Sequence, residues 1–176
     1  QLLAEAGYPN GFDAGHVTPL PNYFSLGERV ISSLRQIGIE AQLNQMERGA
    51  FFAKLGQPGA FPPGMVINIS GAPGDAAARI RSFALCPPQG ASSQICDPTI
   101  DEMFARYEAS TDGQEREQIS AEIQRYILDN FIFVPIYRQA FINVKGPRIA
   151  NPWQEIIGAI PQYVYVGPYE DIRLKE

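Results

Sequence analysis

Hydrophobic positions along the chain follow two periods, and the alternation between them predicts the elements. Residues 23–38 carry Phe24, Val30, Ile31, Leu34 and Ile37 at helical spacing, and the run stops at Gly38. Directly after it, IEAQLNQ (39–45) alternates Ile39, Ala41 and Leu43 with Glu40, Gln42 and Asn44, as a half-buried strand does. AGHVTPL (14–20), ahead of the helix, reads as a short strand. Strand, helix and strand in this order make a βαβ unit, for which a right-handed crossover and parallel pairing are expected. A shorter helix (47–56) and a Pro/Gly-rich loop (57–64) lead to MVINIS (65–70), a compact apolar run expected to form a buried central strand.

The segment SGAPGD (70–75) turns out of that strand, and Asp75 stands where it would cap a helix over 75–85. Two stronger helices follow. In the first, Asp97 caps, Pro98 takes the first helical position, and Ile100, Met103, Phe104 and Tyr107 share a face. In the second, Asp112 and Glu115 make a start like a capping box, and Ile119, Ile123, Tyr126 and Ile127 form the stripe. Residues 131–145 return to strand character, with Pro135 favouring an edge or a crossing segment. The stretch from Gly146 is rich in Pro, Gly and aromatics and holds one more strand candidate, YVYV (163–166). No internal repeat is present. The opening QLLAEA has Leu2, Leu3 and Ala6 on one side and is stopped by Gly7, so it reads as the last turns of a helix belonging to a longer protein. The pattern as a whole is α/β.

Composition narrows the function without naming it. With 176 residues, 45% of them hydrophobic, the chain has the length and apolar content of one globular domain. A formal net charge of −5 argues against sequence-independent nucleic-acid binding, which needs a basic face. Apolar runs fall short of the ~20 residues that span a bilayer. One His (His16) and two Cys (Cys86, Cys96) are too few for a Cys₂His₂ or Cys₄ zinc site, and any imidazole mechanism would have to use His16. His16 itself reads most simply as a strand residue. No cofactor is implied.

Six motifs in order carry a resemblance: LLAEAGYPNGF (2–12), LRQIGIE (34–40), the strand–loop–Gly-Asp step at 66–75, CDPTIDEMF (96–104), VPIYRQAF (134–141) and GPYEDIRL (167–174). Together they resemble the extracellular solute-binding proteins of ABC importers, in the branch that handles peptides, nickel and related solutes (family 5). The resemblance implies a type II periplasmic-binding-protein-like lobe, a mixed, mostly parallel sheet flanked by helices. On that reading residues 1–142 form a C-terminal solute-binding lobe truncated at its N-terminus. Residues 143–176 form a terminal segment that crosses back to the missing first lobe. Such proteins capture a small solute, whether a small peptide, an opine-like conjugate or a sugar, and hand it to an ABC permease in the membrane. They are not enzymes, and they work in the periplasm or outside the cell, in some cases tethered through the N-terminal part. The alternative class is a peptide or protein recognition module without a transport role.

The resemblance and the fold pattern select candidate site residues together. Ligands of open α/β sheets bind at the carboxyl ends of strands, where the loop 69–75 is expected. Ile69, Ser70, Gly71, Ala72 and Asp75 belong to it, with small residues that let a ligand approach the backbone. Peptide-binding members carry an aromatic residue and an acid in this loop ahead of the Gly-Asp step; here those positions hold Ile69 and Ala72, while Gly74 and Asp75 match the step. Asp75 then reads as a helix cap rather than an amine ligand, and a free peptide is the less favoured solute. Asn22 and Tyr23, in PLPNYF (19–24), supply an amide and a ring on the same edge, against the plainer reading of a turn with a surface tyrosine. Tyr137 and Arg138 sit on the crossing segment, where Arg138 is expected either at a ligand carboxylate or in a salt bridge. The family also implies a disulfide between Cys86 and Cys96, in keeping with an exported protein. An isolated lobe should bind its solute weakly and leave Trp153, Ile156, Ile157, Tyr163 and Tyr165 uncovered, giving a non-native dimer or a disordered tail.

Overall fold

The computed structural model describes residues 1–69, 76–138, 144–151 and 172–175. It divides into two compact units, Gln1–Gln124 and Arg125–Glu176. In the first unit a short helix α1 (Leu2–Glu5) precedes β1 (Phe12–Pro19), α2 (Phe24–Arg35) and β2 (Ile39–Leu43). Next come α3 (Arg48–Lys54), β3 (Gly64–Ile67), α4 (Ala77–Ala84) and α5 (Pro98–Ala109); α6 (Gly113–Asp129) runs across the division between the units.

The strands are ordered β2-β1-β3, and both pairings are parallel. The predicted βαβ unit is therefore present, with Phe12 opposite Ile39 and Val17 opposite Leu43. The alternation in β2 sorts as expected: Ile39 and Ala41 are buried, Glu40 and Gln42 exposed. Among the described strands the central one is β1, not the MVINIS run. The reason is visible in burial: β1 ends in Val17, Thr18 and Pro19, all buried, whereas β3 begins exposed at Gly64 and is buried only at Ile67. One core cluster joins Val17, Ile31, Ala41 and Ile67, with Leu26, Val30, Leu43 and Met65 packed on it. Helix α2 ends at Arg35, three residues before Gly38, so Ile37 lies outside it and is 59% exposed rather than in the core.

Local chemistry sets the helix ends. Glu47 caps α3 by accepting from the Ala50 N–H at 3.1 Å. Hydrogen bonds from the backbone of Gly49, then Ala50, with a smaller one from Arg48, hold its carboxyl below the usual carboxylate range against slight desolvation. Asp97 caps α5 through the Thr99 N–H, with Pro98 at the first helical position as predicted. Asp112 Oδ1 accepts from the N–H groups of Gln114 and Glu115. Glu115 departs from a full capping box, because its carboxylate accepts instead from the Ser110 hydroxyl. Helix α4 starts two residues later than expected, with Ala76 at the cap position and no side-chain cap bond. The expected faces of the last helices are largely correct: Ile100, Met103, Phe104 and Tyr107 are buried on α5, and Ile119, Ile123 and Ile127 on α6, while Tyr126 of the expected stripe is only half-buried.

Cys86 and Cys96 form the disulfide that the family resemblance implied. The loop it closes is stitched to its surroundings: the Cys86 N–H donates to Asp101 Oδ1, the Ser92 N–H to the Ser82 carbonyl, and Gln94 Nε2 to the Lys54 carbonyl. Closing a loop of this size restricts the unfolded chain by about 2–3 kcal/mol in the chain-entropy model. A Cys86→Ser/Cys96→Ser double variant is accordingly expected to melt about 5–10 °C lower. Differential scanning calorimetry with and without reductant checks it. The double variant should be insensitive to reductant, and an unchanged melting temperature would remove the disulfide from the stability account.

In the second unit, residues 131–138 form no strand. Pro135 offers no N–H to a ladder, and Phe131, Val134, Ile136 and Tyr137 are all exposed, so the expected strand over 131–145 is not found in its described part. Near the C-terminus Ile149 and Leu174 make an isolated antiparallel bridge. Buried Asn151 joins the two stretches by accepting from the Arg173 N–H, while its carbonyl accepts from Lys145 Nζ. Trp153, Ile156, Ile157 and the YVYV segment lie outside the described residues.

Candidate functional site

The carboxyl ends of the three parallel strands define one edge of the sheet. At that edge the Leu20 N–H donates to the Ile67 carbonyl at 2.8 Å, tying the exit of β1 to the end of β3. The chain then turns through Pro21 and Asn22, and the Tyr23 N–H donates back to the Leu20 carbonyl at 2.9 Å. Asn22 takes a positive φ of 81°, a conformation that asparagine tolerates better than most side chains. Its side chain is exposed, while Tyr23 is half-buried.

Tyr23 and Ile69, predicted as site residues from separate stretches, are brought together by one apolar cluster. That cluster is built on buried Leu20, Phe51 and Phe61, with Tyr23, Met46, Leu55, Val66 and Ile69 packed against it. Phe51 and Phe61 rings meet at 5.2 Å. The edge thus has a firm apolar base set by α3 and the loop before β3. Ser70, Gly71, Ala72, Gly74 and Asp75 lie outside the described residues. Tyr137 and Arg138 are exposed and belong to the second unit.

Polar groups not anticipated from sequence also stand at this edge. Asn44, directly after β2, donates its amide to the hydroxyl of buried Thr18 at 3.1 Å, and its own N–H donates to the Val17 carbonyl. Asn68, directly after β3, accepts from the Ile69 N–H through its side chain at 2.8 Å. The signal for Asn68 was a lone polar residue inside the apolar run 65–70, whereas Asn44 read only as one more polar position of the alternation over 39–45. Among described residues, Asn22, Asn44 and Asn68 give the strand exits amide groups of both donor and acceptor character and no formal charge. Such a shelf can orient hydroxyl, amide or ether groups over the apolar base.

His16 sits upstream on β1, opposite Gln42 and Gly64, so it is a strand residue as expected. Its Nδ1 is buried and makes no hydrogen bond among the described residues. No group of three or more His, Cys, Asp or Glu able to hold a metal occurs among the described residues, and no helix there is long and apolar enough to cross a membrane.

No protein-family model matches the sequence, and no curated protein matches it. Solved structures do. HbpA2 from Haemophilus parasuis shares 25% identity at a TM-score of 0.60, over 73% of this chain and 27% of its own. The ABC transporter-associated periplasmic binding protein DppA from Helicobacter pylori, solved with the peptide STSA, shares 23% identity at a TM-score of 0.57, over 72% of this chain and 25% of its own. The periplasmic binding protein AgaA from A. tumefaciens R10, solved with agropinic acid, shares 23% identity at a TM-score of 0.53, over 73% and 27%. The fold is that of the periplasmic solute-binding proteins of ABC transporters, the class the six motifs resemble. Further neighbours are a dipeptide binding protein from Pseudoalteromonas sp. SM9913 and a nickel ABC transporter protein from Bacillus halodurans, and the chain spans about a quarter of the length of these structures.

Proposed function

We propose that this chain is one lobe of a two-lobed solute-binding protein that serves an ABC importer, in the periplasm or on the outer face of the membrane. The observation that carries the reading is the amide-lined edge at the carboxyl ends of β1, β2 and β3, seated on the Phe51–Phe61 cluster. Residues 1–142 are the lobe, and residues 143–176 the segment returning to the other lobe. Asn22, Tyr23 and Ile69 form the described part of the solute surface, and Ser70, Gly71, Ala72 and Asp75 continue it. Tyr137 and Arg138, near the end of that lobe, are further solute-binding candidates in this reading. The role is capture and delivery to a permease, not catalysis. Because Ala72 stands where peptide-binding members carry the acid for the ligand's amino terminus, the preferred solute is a sugar, an opine-like conjugate or a modified peptide. A thermal-shift screen of the full-length protein against peptides, opines, sugars and nickel chelates tests this. A shift of several degrees with an uncharged or N-modified solute, lost in Tyr23→Ala, is expected. Tight binding of unmodified di- or tripeptides would overturn the solute class, and no response to any small solute would overturn the capture role.

A further inference from the structure

A groove of about 350 Å³ lies among helices rather than at the strand ends, lined by Ala77, Ala78 and Arg81 of α4, Phe104, Tyr107 and Glu108 of α5, and Arg116 of α6. Its floor is the buried pair Phe104–Tyr107, stacked at 5.3 Å between centroids. A guanidinium is held over each ring: Arg81 Cζ stands 5.2 Å from the Phe104 centroid, and Arg116 Cζ 4.1 Å from that of Tyr107.

The two arginines are committed differently. Arg81 pairs with Glu108 inside the groove. Arg116 donates Nη1 to the Ser110 carbonyl at 3.3 Å and has no carboxylate partner among the described residues. Its position on the tyrosine ring fixes the fork, and a guanidinium fixed in place with unused donors matches a carboxylate bidentately. With two guanidinium groups and one carboxylate, the groove carries net positive charge in a chain whose formal charge is −5.

We propose that this groove is a binding site for a small organic carboxylate, with Arg116 the primary ligand and Arg81 a second one that Glu108 competes for. The volume is at the lower end for small-molecule pockets, which suits a ligand of few atoms. The site does not depend on the solute-capture reading, which uses other residues.

The test is a titration of the ¹⁵N-labelled chain with sodium succinate, following arginine Nε–H resonances by NMR, with sodium chloride at matched ionic strength alongside. A saturable displacement of the Arg116 signal at low-millimolar succinate is expected, with no such change in chloride. Arg116→Gln should weaken binding at least tenfold by the remaining Arg81 signal, Arg116→Lys should fall between, and Glu108→Gln should tighten it about threefold or more by freeing Arg81. No saturable shift below about 50 mM, an equal response to chloride, or unchanged affinity in either Arg116→Gln or Glu108→Gln would overturn the assignment. Glu108→Gln, which removes only a charge from an exposed pair, remains informative if an Arg116 variant folds poorly.

Discussion

A Phe51→Ala chain is expected to lose about 3–5 kcal/mol of stability, the loss typical of truncating a buried phenylalanine. Phe51 is fully buried at the centre of this edge's apolar cluster: Phe61 meets its ring at 5.2 Å, and Tyr23 and Ile69 pack on the same cluster. Domains of ordinary size are stable by only about 5–15 kcal/mol, so this one ring accounts for a large share. Urea unfolding followed by circular dichroism measures it, and the midpoint should fall while the slope with denaturant stays constant. Phe52 is the control. It lies next in sequence, packs edge-on against Phe51 at 5.8 Å, and is 46% exposed, so its alanine variant should lose no more than about 1 kcal/mol. Similar losses at the two positions would mean that the cluster is not the base of this edge. The same cavity should loosen Tyr23 and Ile69, so solute affinity in the full-length protein should drop together with stability.

What could be read in advance followed how local the controlling interactions are. The faces and N-terminal caps of α5 and α6 depend on residues within a few positions of one another, and Asp97, Pro98 and Asp112 act as their spacing predicted. The βαβ unit was legible for a related reason, since Gly38 sharply separates helical from alternating periodicity. The order of strands was not. MVINIS is more uniformly apolar than DAGHVTP, yet parallel pairing on both sides places the latter in the middle, because that choice is made by neighbours distant in sequence. Strand character over 131–138 failed where Pro135 withholds a donor and the side chains find no cover. At the candidate edge, the place of PLPNYF at a strand exit pointed to Asn22 and Tyr23, and the family's loop pattern to Ile69. The Thr18–Asn44 bond and the Arg81–Glu108–Arg116 groove needed the structure, since each joins stretches that carry no common signature.

The edge also depends on how closely β3 approaches β1, which makes Gly64 the position of the second large expected effect. Gly64 pairs with His16 at φ 137°, in the region that side-chain-bearing residues avoid. A Cβ there would lie 2.0 Å from the His16 carbonyl oxygen and 2.5 Å from its nitrogen, and both are backbone atoms of the central strand. No rotamer change relieves such a contact. The two strands are held close at this point, where the His16 N–H donates to the Pro63 carbonyl at 2.9 Å. Gly64→Ala must therefore push β3 away from β1, and roughly 3 kcal/mol or more is expected from backbone strain and lost pairing together. Hydrogen exchange gives a local readout. The Leu20 N–H, bonded to the Ile67 carbonyl at the far end of β3, should lose protection in the variant, whereas the Asn44 N–H, bonded to Val17 on the β2 side, should lose less. Gly113→Ala, at a position where an added Cβ meets nothing within 4 Å, should be neutral or stabilising by up to about 1 kcal/mol. If Gly64→Ala behaved like Gly113→Ala, the close seating of β3 would not be what holds the carboxyl edge together.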